Sequence, residues 1–281
     1  MMKALLLVKK EEQRNPLSLS AKLRLTNSKT FYVFLFLWLF ILKGLLGNFF
    51  VQDELTKVFN VSTGDIVNSS ILLSNPTERA VSIRVYQGDY IQNSESDNLT
   101  VRAGSSPRSN AHWIRFQSSV TIPPNQTFSL PFTINIPNQS DLTGSFWSIL
   151  FVEEVNEMDV SDPEIIVLNL RTGVQIINNI ANTAQIDVLF SDFAYEVDYV
   201  SMILKNTGNL WLQASVKIDV YNDGAELVGS FVSERNRIYP EFSRRVQIPV
   251  NLQTNTNYHA IIVADCGNGN IFGHQISFII D

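Results

Sequence analysis

QTFSLPFTINIP, residues 126–137, decides the fold class. Phe128, Leu130, Phe132, Ile134 and Ile136 alternate strictly with Thr127, Ser129, Pro131, Thr133 and Asn135. A period of two puts every second side chain on one face, the pattern of a half-buried strand. Pro131 has no N–H to give to a ladder, so this strand is expected at a sheet edge or at a bulge. Working outward, the alternation recurs in Val81, Ile83 and Val85, in Ala214, Val216, Ile218 and Val220, and in Ile276, Phe278 and Ile280. Turn chemistry separates the runs at Asn75-Pro76, Pro123-Pro124-Asn125, Asn206-Thr207-Gly208, Asn222-Asp223-Gly224 and Gly267-Asn268-Gly269. Short strands punctuated in this way predict an all-β sandwich or barrel.

An internal repeat sets the expected domain count. LLSNPTERAVSIRVY (72–86) and ILKNTGNLWLQASVKIDVY (203–221) share an apolar pair, an Asn turn and an alternating strand ending in Val-Tyr. A second pair follows in the same order, residues 122–152 and 238–263. Two related modules are therefore expected, each with the length of an immunoglobulin-like sandwich, about 100 residues. The boundary is placed where NNIANT (178–183) breaks the alternation, giving domains 53–182 and 183–281. The first module carries a polar insertion, residues 88–112 (GDYIQNSESDNLTVRAGSSPRSNAH), which reads as a long functional or mobile loop.

Residues 1–52 read differently. FYVFLFLWLFIL (31–42) is apolar throughout, and as a helix it would be about 18 Å long, short of a bilayer core. Counting on through Lys43 to Val51 gives 21 residues, enough to span. A basic stretch with Lys3, Lys9, Lys10, Arg14, Lys22, Arg24 and Lys29 precedes it, and this bias holds the N-terminus in the cytoplasm. The expectation is an N-terminal hydrophobic export helix within 31–51. It is read either as a signal peptide cleaved near Gly47 or as an uncleaved signal anchor, a transmembrane helix that makes the membrane a partner. Either topology sends the sandwiches to an extracytoplasmic place, the periplasm or the cell surface.

Composition narrows the function. With 45% hydrophobic and 17% charged residues the chain is globular rather than disordered. Eight basic and two acidic residues precede Asp53, and from there on there are 13 basic and 25 acidic ones. That acidic balance argues against nucleic acid as a partner. The single cysteine, Cys266, excludes a disulfide framework and reads as a free, partly buried thiol in an Asp-Cys-Gly turn. His112, His259 and His274 share no metal-ligand spacing, although the last two could be neighbours on adjacent strands. Glu153, Glu154, Glu157, Asp159, Asp162 and Glu164 lack an EF-hand pattern and read as a solvated loop. Trp113 and Trp147 read as core anchors, and Trp211 as a residue that packs between modules. Sequons at Asn60, Asn68, Asn98, Asn125 and Asn138 read as Asn-rich turns and strand faces. No nucleophile elbow and no phosphate loop is present, so the reading is non-enzymatic, with no cofactor and no metal.

The order Gly64-Asp65, Asn75-Pro76, Val85-Tyr86, Pro107-Arg108-Ser109, Trp113-Ile114, Pro123-Pro124, then Gly144-Ser145-Phe146-Trp147 through Val152-Glu153-Glu154, resembles bacterial envelope proteins with PapD-like, pilus-chaperone-type immunoglobulin domains. It is similar also to the peptidoglycan-binding domain of WxL-interacting cell-surface proteins. The resemblance covers residues 55–180, and the second module looks like the immunoglobulin-like domain that often follows. It implies two tandem immunoglobulin-like β-sandwiches that bind an envelope or secreted protein client, or cell-wall polymer. In pilus chaperones a basic pair in the interdomain cleft holds the client carboxylate, and the last strand of the first domain pairs with the client. Here Arg171, Thr172, Gly173, Val174, Gln175, Ile176 and Ile177 look like that strand, with Lys57 as the second basic residue. The expected mechanism is β-strand addition, with an exposed edge at residues 172–177. The alternatives are a cell-surface adhesion or peptidoglycan-binding module acting through the 88–112 loop, and a structural spacer of a surface complex.

Overall fold

The computed structural model describes residues 49–92, 98–155, 171–196, 198–253 and 256–280. Its regular elements are β-strands and one 3-10 turn, Ala111–Trp113. The first sandwich sets a four-stranded sheet of β1 (Phe50–Val51), β3 (Ile66–Asn75), β8 (Gln126–Asn135) and β6 (Ile114–Phe116), in that order, against a six-stranded one. The latter runs β2 (Thr56–Val61), β10 (Arg171–Ile180), β9 (Ser145–Glu154), β4 (Val81–Gln92), β5 (Asn98–Arg102), and β7 (Ser119–Ile122) adds to β4. The inward halves of the alternating strands meet between the sheets: Ile71, Leu73, Ile83, Leu130, Ile134, Leu150, Val174 and Ile176 are all buried there.

The second sandwich repeats the plan. A sheet of β11 (Val188–Glu196), β12 (Tyr199–Asn206) and β16 (Ser243–Pro249) faces a sheet of β14 (Leu227–Val232), β13 (Leu212–Asn222), β17 (Thr256–Asp265) and β18 (Ile271–Ile280), with β15 (Asn236–Ile238) pairing to β13. Its own core holds Met202, Leu204, Val216, Ile218, Ile248 and Ile262.

The repeat seen in the sequence has a structural basis in a pair of buried asparagines. Asn75 Nδ2 donates to the carbonyls of Arg79 at 2.8 Å and Ile122 at 3.0 Å, while its Oδ1 accepts from the Thr77 N–H at 2.9 Å. Asn206 Nδ2 donates to the carbonyls of Leu210 at 2.8 Å and Ile238 at 3.1 Å, and its Oδ1 accepts from the Gly208 N–H at 3.0 Å. The offsets i+2 and i+4 are identical. The remote acceptors, Ile122 and Ile238, open the second pair of repeated segments. One amide thus closes the turn after the second long strand and ties it to a distant chain segment.

Pro131 lies where the ladder can omit it. β6 ends at Phe116 opposite Phe132, so β8 has no described neighbour on that side at the proline.

The expected export helix is corrected. No helix among the described residues is long and apolar enough to cross a membrane. Residues 1–48 lie outside the described residues, but the last three of the 31–51 stretch do not. Phe49 is buried in the first core, and Phe50 and Val51 form β1, paired with Ser74 and Leu73 of β3. Phe49 is apolar because the sandwich buries it, and Phe50 and Val51 are held in a strand, so the 21-residue span fails, and with it the transmembrane helix and membrane partner read from that span. The 88–112 insertion is corrected too. Its described part is a β4–β5 hairpin, followed by a turn in which the Asp89 carboxylate accepts from Ser106 N–H at 2.7 Å and Ser109 Oγ at 2.6 Å.

The two asparagine clamps make a direct prediction. Asn75→Ala or Asn206→Ala leaves buried carbonyls without donors, and each change should cost about 2–4 kcal/mol of unfolding free energy. Equilibrium urea unfolding measures this, and a loss within ~0.5 kcal/mol of zero would contradict it.

Candidate functional site

β10 carries an asymmetry along its length. β9 runs antiparallel beside it from Arg171 to Asn179, whereas β2 runs parallel on its other side only from Gln175 to Ile180. The Gln175 N–H donates to the Leu55 carbonyl at 2.9 Å. Backbone direction alternates along a strand, so the main-chain groups of Gly173 and Arg171 point to that same side. Among the described residues no strand meets them. The cause is the crossing from the four-stranded sheet at β1 to the six-stranded sheet at β2. Asp53 pins this crossing by accepting from the Leu72 N–H at 2.6 Å and pairing with Lys57 at 3.2 Å. The main-chain bond from Leu72, helped by Lys57, holds the Asp53 carboxyl below its ordinary pKa.

The large side chains around the unpaired stretch are accommodated by two glycines. Gly173 lies opposite Phe151 and Gly88 opposite Ile149. A Cβ on Gly88 would stand 2.9 Å from the Phe151 ring, and one on Gly173 would stand 3.0 Å from Ile149. The Arg171 guanidinium covers the Phe151 ring at 4.5 Å.

Just beyond the unpaired stretch, the outer face of the six-stranded sheet meets the second sandwich. Gln175 Oε1 accepts from the Tyr239 hydroxyl at 2.8 Å and from Arg237 Nη1, which also donates to Thr56 Oγ1 at 3.1 Å. The Arg237 carbonyl accepts from Gln92 Nε2 at 2.9 Å, and its guanidinium lies 5.4 Å over the Trp211 ring. No carboxylate pairs with Arg237 among the described residues, and its Nε is buried without a partner. Burial pushes the Tyr239 hydroxyl pKa far up, so it remains a neutral donor.

Trp147, Ile177 and Tyr239 are buried together at this junction, with Tyr90, Trp211 and Phe242 packed on them. Trp147 sits 4.6 Å from Tyr239 ring to ring, and its Nε1 donates to the Tyr90 carbonyl at 2.9 Å. Arg108 of the first sandwich pairs with Glu241 of the second at 3.2 Å. Gly144 has φ of +71°, and a Cβ there would lie 2.0 Å from the Asn209 carbonyl oxygen, so only glycine permits this approach. Alongside lies a cleft of about 630 Å³, lined in part by Asn60, Asn179, Trp211, Leu212, Arg235 and Cys266.

The residues singled out in the sequence fall as follows. Arg171, Thr172, Gly173 and Val174 form the unpaired stretch, whereas Gln175, Ile176 and Ile177 already have a strand on both sides. Lys57 lies opposite Ile176, about 17 Å along the strand from Arg171, so these two do not make a basic pair. Trp113 packs on the first core and Trp147 on the junction. His259 and His274 are not opposite each other, since their partners are Ser277 and Ile262. Glu153 and Glu154 pair with Arg84 and Arg79, and the acidic residues after them lie outside the described residues. No group of three His, Cys, Asp or Glu among the described residues is placed to hold a metal. Arg237 and Tyr239 were not singled out: in the sequence they are a strand end and a turn, and only the pairing of Arg237 with Gln213 brings them to the junction.

No family model and no curated protein matches the sequence. Solved structures do. The chain is similar to the class 5 fimbriae chaperone CfaA, with 14% identity and a TM-score of 0.51 over 83% of this chain and 99% of that one. It is similar also to a chain of a chaperone–tip adhesin complex of CFA/I fimbriae biogenesis, with 14% identity and a TM-score of 0.50 over 84% and 100%. At this identity the likeness is one of fold.

Cys266 is free and buried, and burial, with the negative charge of Asp265 added, pushes its thiol up to about 11. At pH 8 only about one thiol in a thousand would then be the reactive thiolate. A thiol reagent should label the native chain at least ~100-fold more slowly than the urea-unfolded chain. Equal rates would contradict the placement.

Proposed function

We propose that this chain, which has the fold of the PapD-like periplasmic chaperones, is a non-enzymatic binding protein that receives an extended segment of another protein by β-strand addition at Arg171–Val174. One observation carries the reading: among the described residues β10 is paired on both sides from Gln175 onward and on one side before it. An incoming strand would supply the missing main-chain partners, which gives affinity, while alternate side chains set the register.

The geometry also favours one direction. A strand lying beside Arg171–Val174 must stop where β2 begins, at Leu55 and Thr56, and Arg237 is bonded to Thr56. A parallel strand brings its C-terminal carboxylate to that point, where an arginine with no acidic partner among the described residues attracts it. An antiparallel strand would bring an amino terminus to the same cation. Arg237 thereby takes the part that the family resemblance assigned to a basic pair at Arg171 and Lys57. An extracytoplasmic place, the periplasm above all, suits this function. The glycan reading loses its support, because the insertion meant to carry it folds as a hairpin with a pinned turn.

The test uses synthetic peptides of about eight residues with alternating apolar side chains, made with a free or an amidated C-terminus. The free acid should bind about tenfold more tightly, since a charge-assisted bond of ~1.5 kcal/mol separates the two. Arg237→Gln should abolish the difference, and Arg237→Lys should keep part of it. Equal binding of acid and amide by the unaltered chain would overturn the role of Arg237. Failure of a photo-crosslinker at Thr172 to capture the bound peptide would overturn the site.

A further inference from the structure

The edge of the second sandwich carries a different signal. β18 is the outermost strand of its sheet and pairs only with β17 among the described residues. It contains no Asp, Glu, Lys or Arg along its ten residues, IFGHQISFII. Edge strands of soluble proteins usually carry charge, proline or a bulge to block pairing, and β18 has none of these. Ile271 and Ile279 are each 65% exposed on its outer face. On its inner face Phe272, Ile276 and Phe278 are half-buried, as are Phe190, Phe193 and Tyr195 of β11 across the seam. Phe193, Tyr195, Ile276 and Phe278 line an unfilled space of about 50 Å³ there.

The sequence of this edge is close to a palindrome about Gln275. Read outward from Gln275, His274 faces Ile276, Gly273 faces Ser277, Phe272 faces Phe278 and Ile271 faces Ile279. Only the inner pair differs in kind. Two copies laid antiparallel about a two-fold axis through Gln275 would set Ile271 against the partner's Ile279 and Phe272 against the partner's Phe278. The small residues Gly273 and Ser277 would likewise oppose each other.

Backbone phase agrees with that axis. The Cys266 N–H donates to the Asn270 carbonyl at 2.9 Å, just beyond the β17–β18 hairpin end. Even-numbered backbone groups of β18 therefore face β17, and those of Ile271, Gly273, Gln275, Ser277 and Ile279 face outward. A two-fold through Gln275 pairs odd with odd, so every outward donor meets an outward acceptor. Charge points to the same occupant. The residues from Asp53 on carry 13 basic and 25 acidic side chains, and a contact centred on an uncharged strand is where two such chains repel least. The opposite edge, β14, is shorter, pairs through a bulge and has no such symmetry.

We propose that β18 is a self-association edge, through which two copies of this chain pair antiparallel about a two-fold axis at Gln275 and join their β14-β13-β17-β18 sheets into one. The surface is separate from β10 and stands or falls independently of strand addition there.

A Cys266→Ser background carrying Gln275→Cys tests this on the full chain. Hydrogen-bonded antiparallel partners have Cα atoms about 5.5 Å apart, within disulfide range. Mild oxidation should give a covalent dimer. Ser277→Cys in the same background should not give one, because the two symmetry-related positions lie about 13 Å apart. Sedimentation should show a concentration-dependent dimer for the unaltered chain and a folded monomer for Gln275→Lys, with circular dichroism confirming the fold. A monomer at all concentrations, a dimer indifferent to Gln275→Lys, equal cross-linking at both positions, or cross-linking of Gln275→Cys only to a different protein would each overturn the proposal.

Discussion

Main-chain hydrogen bonding at β10 is the constraint on which the rest of the molecule turns. A strand must satisfy donors and acceptors on both sides, and β10 has β9 along nearly its whole length but β2 along only its second part. Chain geometry enforces the shortfall. The segment that begins in the four-stranded sheet as β1 must cross to reach β2, and Asp53 holds the crossing at a fixed place by grasping the Leu72 N–H. The residues consumed in crossing are those that would otherwise lie beside Arg171–Val174. The unpaired stretch thus follows from one strand serving two sheets.

The second sandwich closes the other end of that stretch. Its contribution is chemical as much as steric: Arg237 and Tyr239 both donate to Gln175, and Trp147 stacks beside them. A guanidinium held by a neutral amide and a hydroxyl, over an indole, has no carboxylate partner among the described residues. The junction is tight because Gly144 and the Asn209 carbonyl approach as only a glycine permits. Aromatic packing, an ion pair between Arg108 and Glu241 and main-chain bonds such as Ser145 N–H to the Asn209 carbonyl hold the two sandwiches together.

Much of this was legible in the residues, and the limits are instructive. Alternation alone identified the strands, because a half-buried sheet imposes a period of two regardless of context. Pro131 announced its missing neighbour, since a proline reports on a hydrogen bond that cannot exist. The repeat was legible through Asn75 and Asn206, two buried amides doing one task twice. Apolar content misled where two environments share it: Phe49, Phe50 and Val51 looked like the end of a membrane-length run and are sandwich residues. Polar content misled in the same way in the 88–112 insertion, where a hairpin on an outer sheet needs few apolar side chains. The run from Arg171 to Ile177 was recognised as a unit, but only strand register divides it into a free part and a covered part. Arg237 left no trace in the sequence, because its significance comes from a neighbour more than sixty residues away, Gln175.

Gln175 has one further consequence. Its carbonyl oxygen spends its acceptor capacity on two donors from the second sandwich, while its N–H is committed to Leu55 and its neighbours to β9. The strand cannot creep forward or back by a step of two residues, about 7 Å, without tearing all of these at once. The open stretch therefore has a fixed end, closed by a glutamine that acts as a stop. Under the strand addition proposed above, a surface built this way would serve as a ruler, separating guests by how many residues lie between their end and their first bulky side chain.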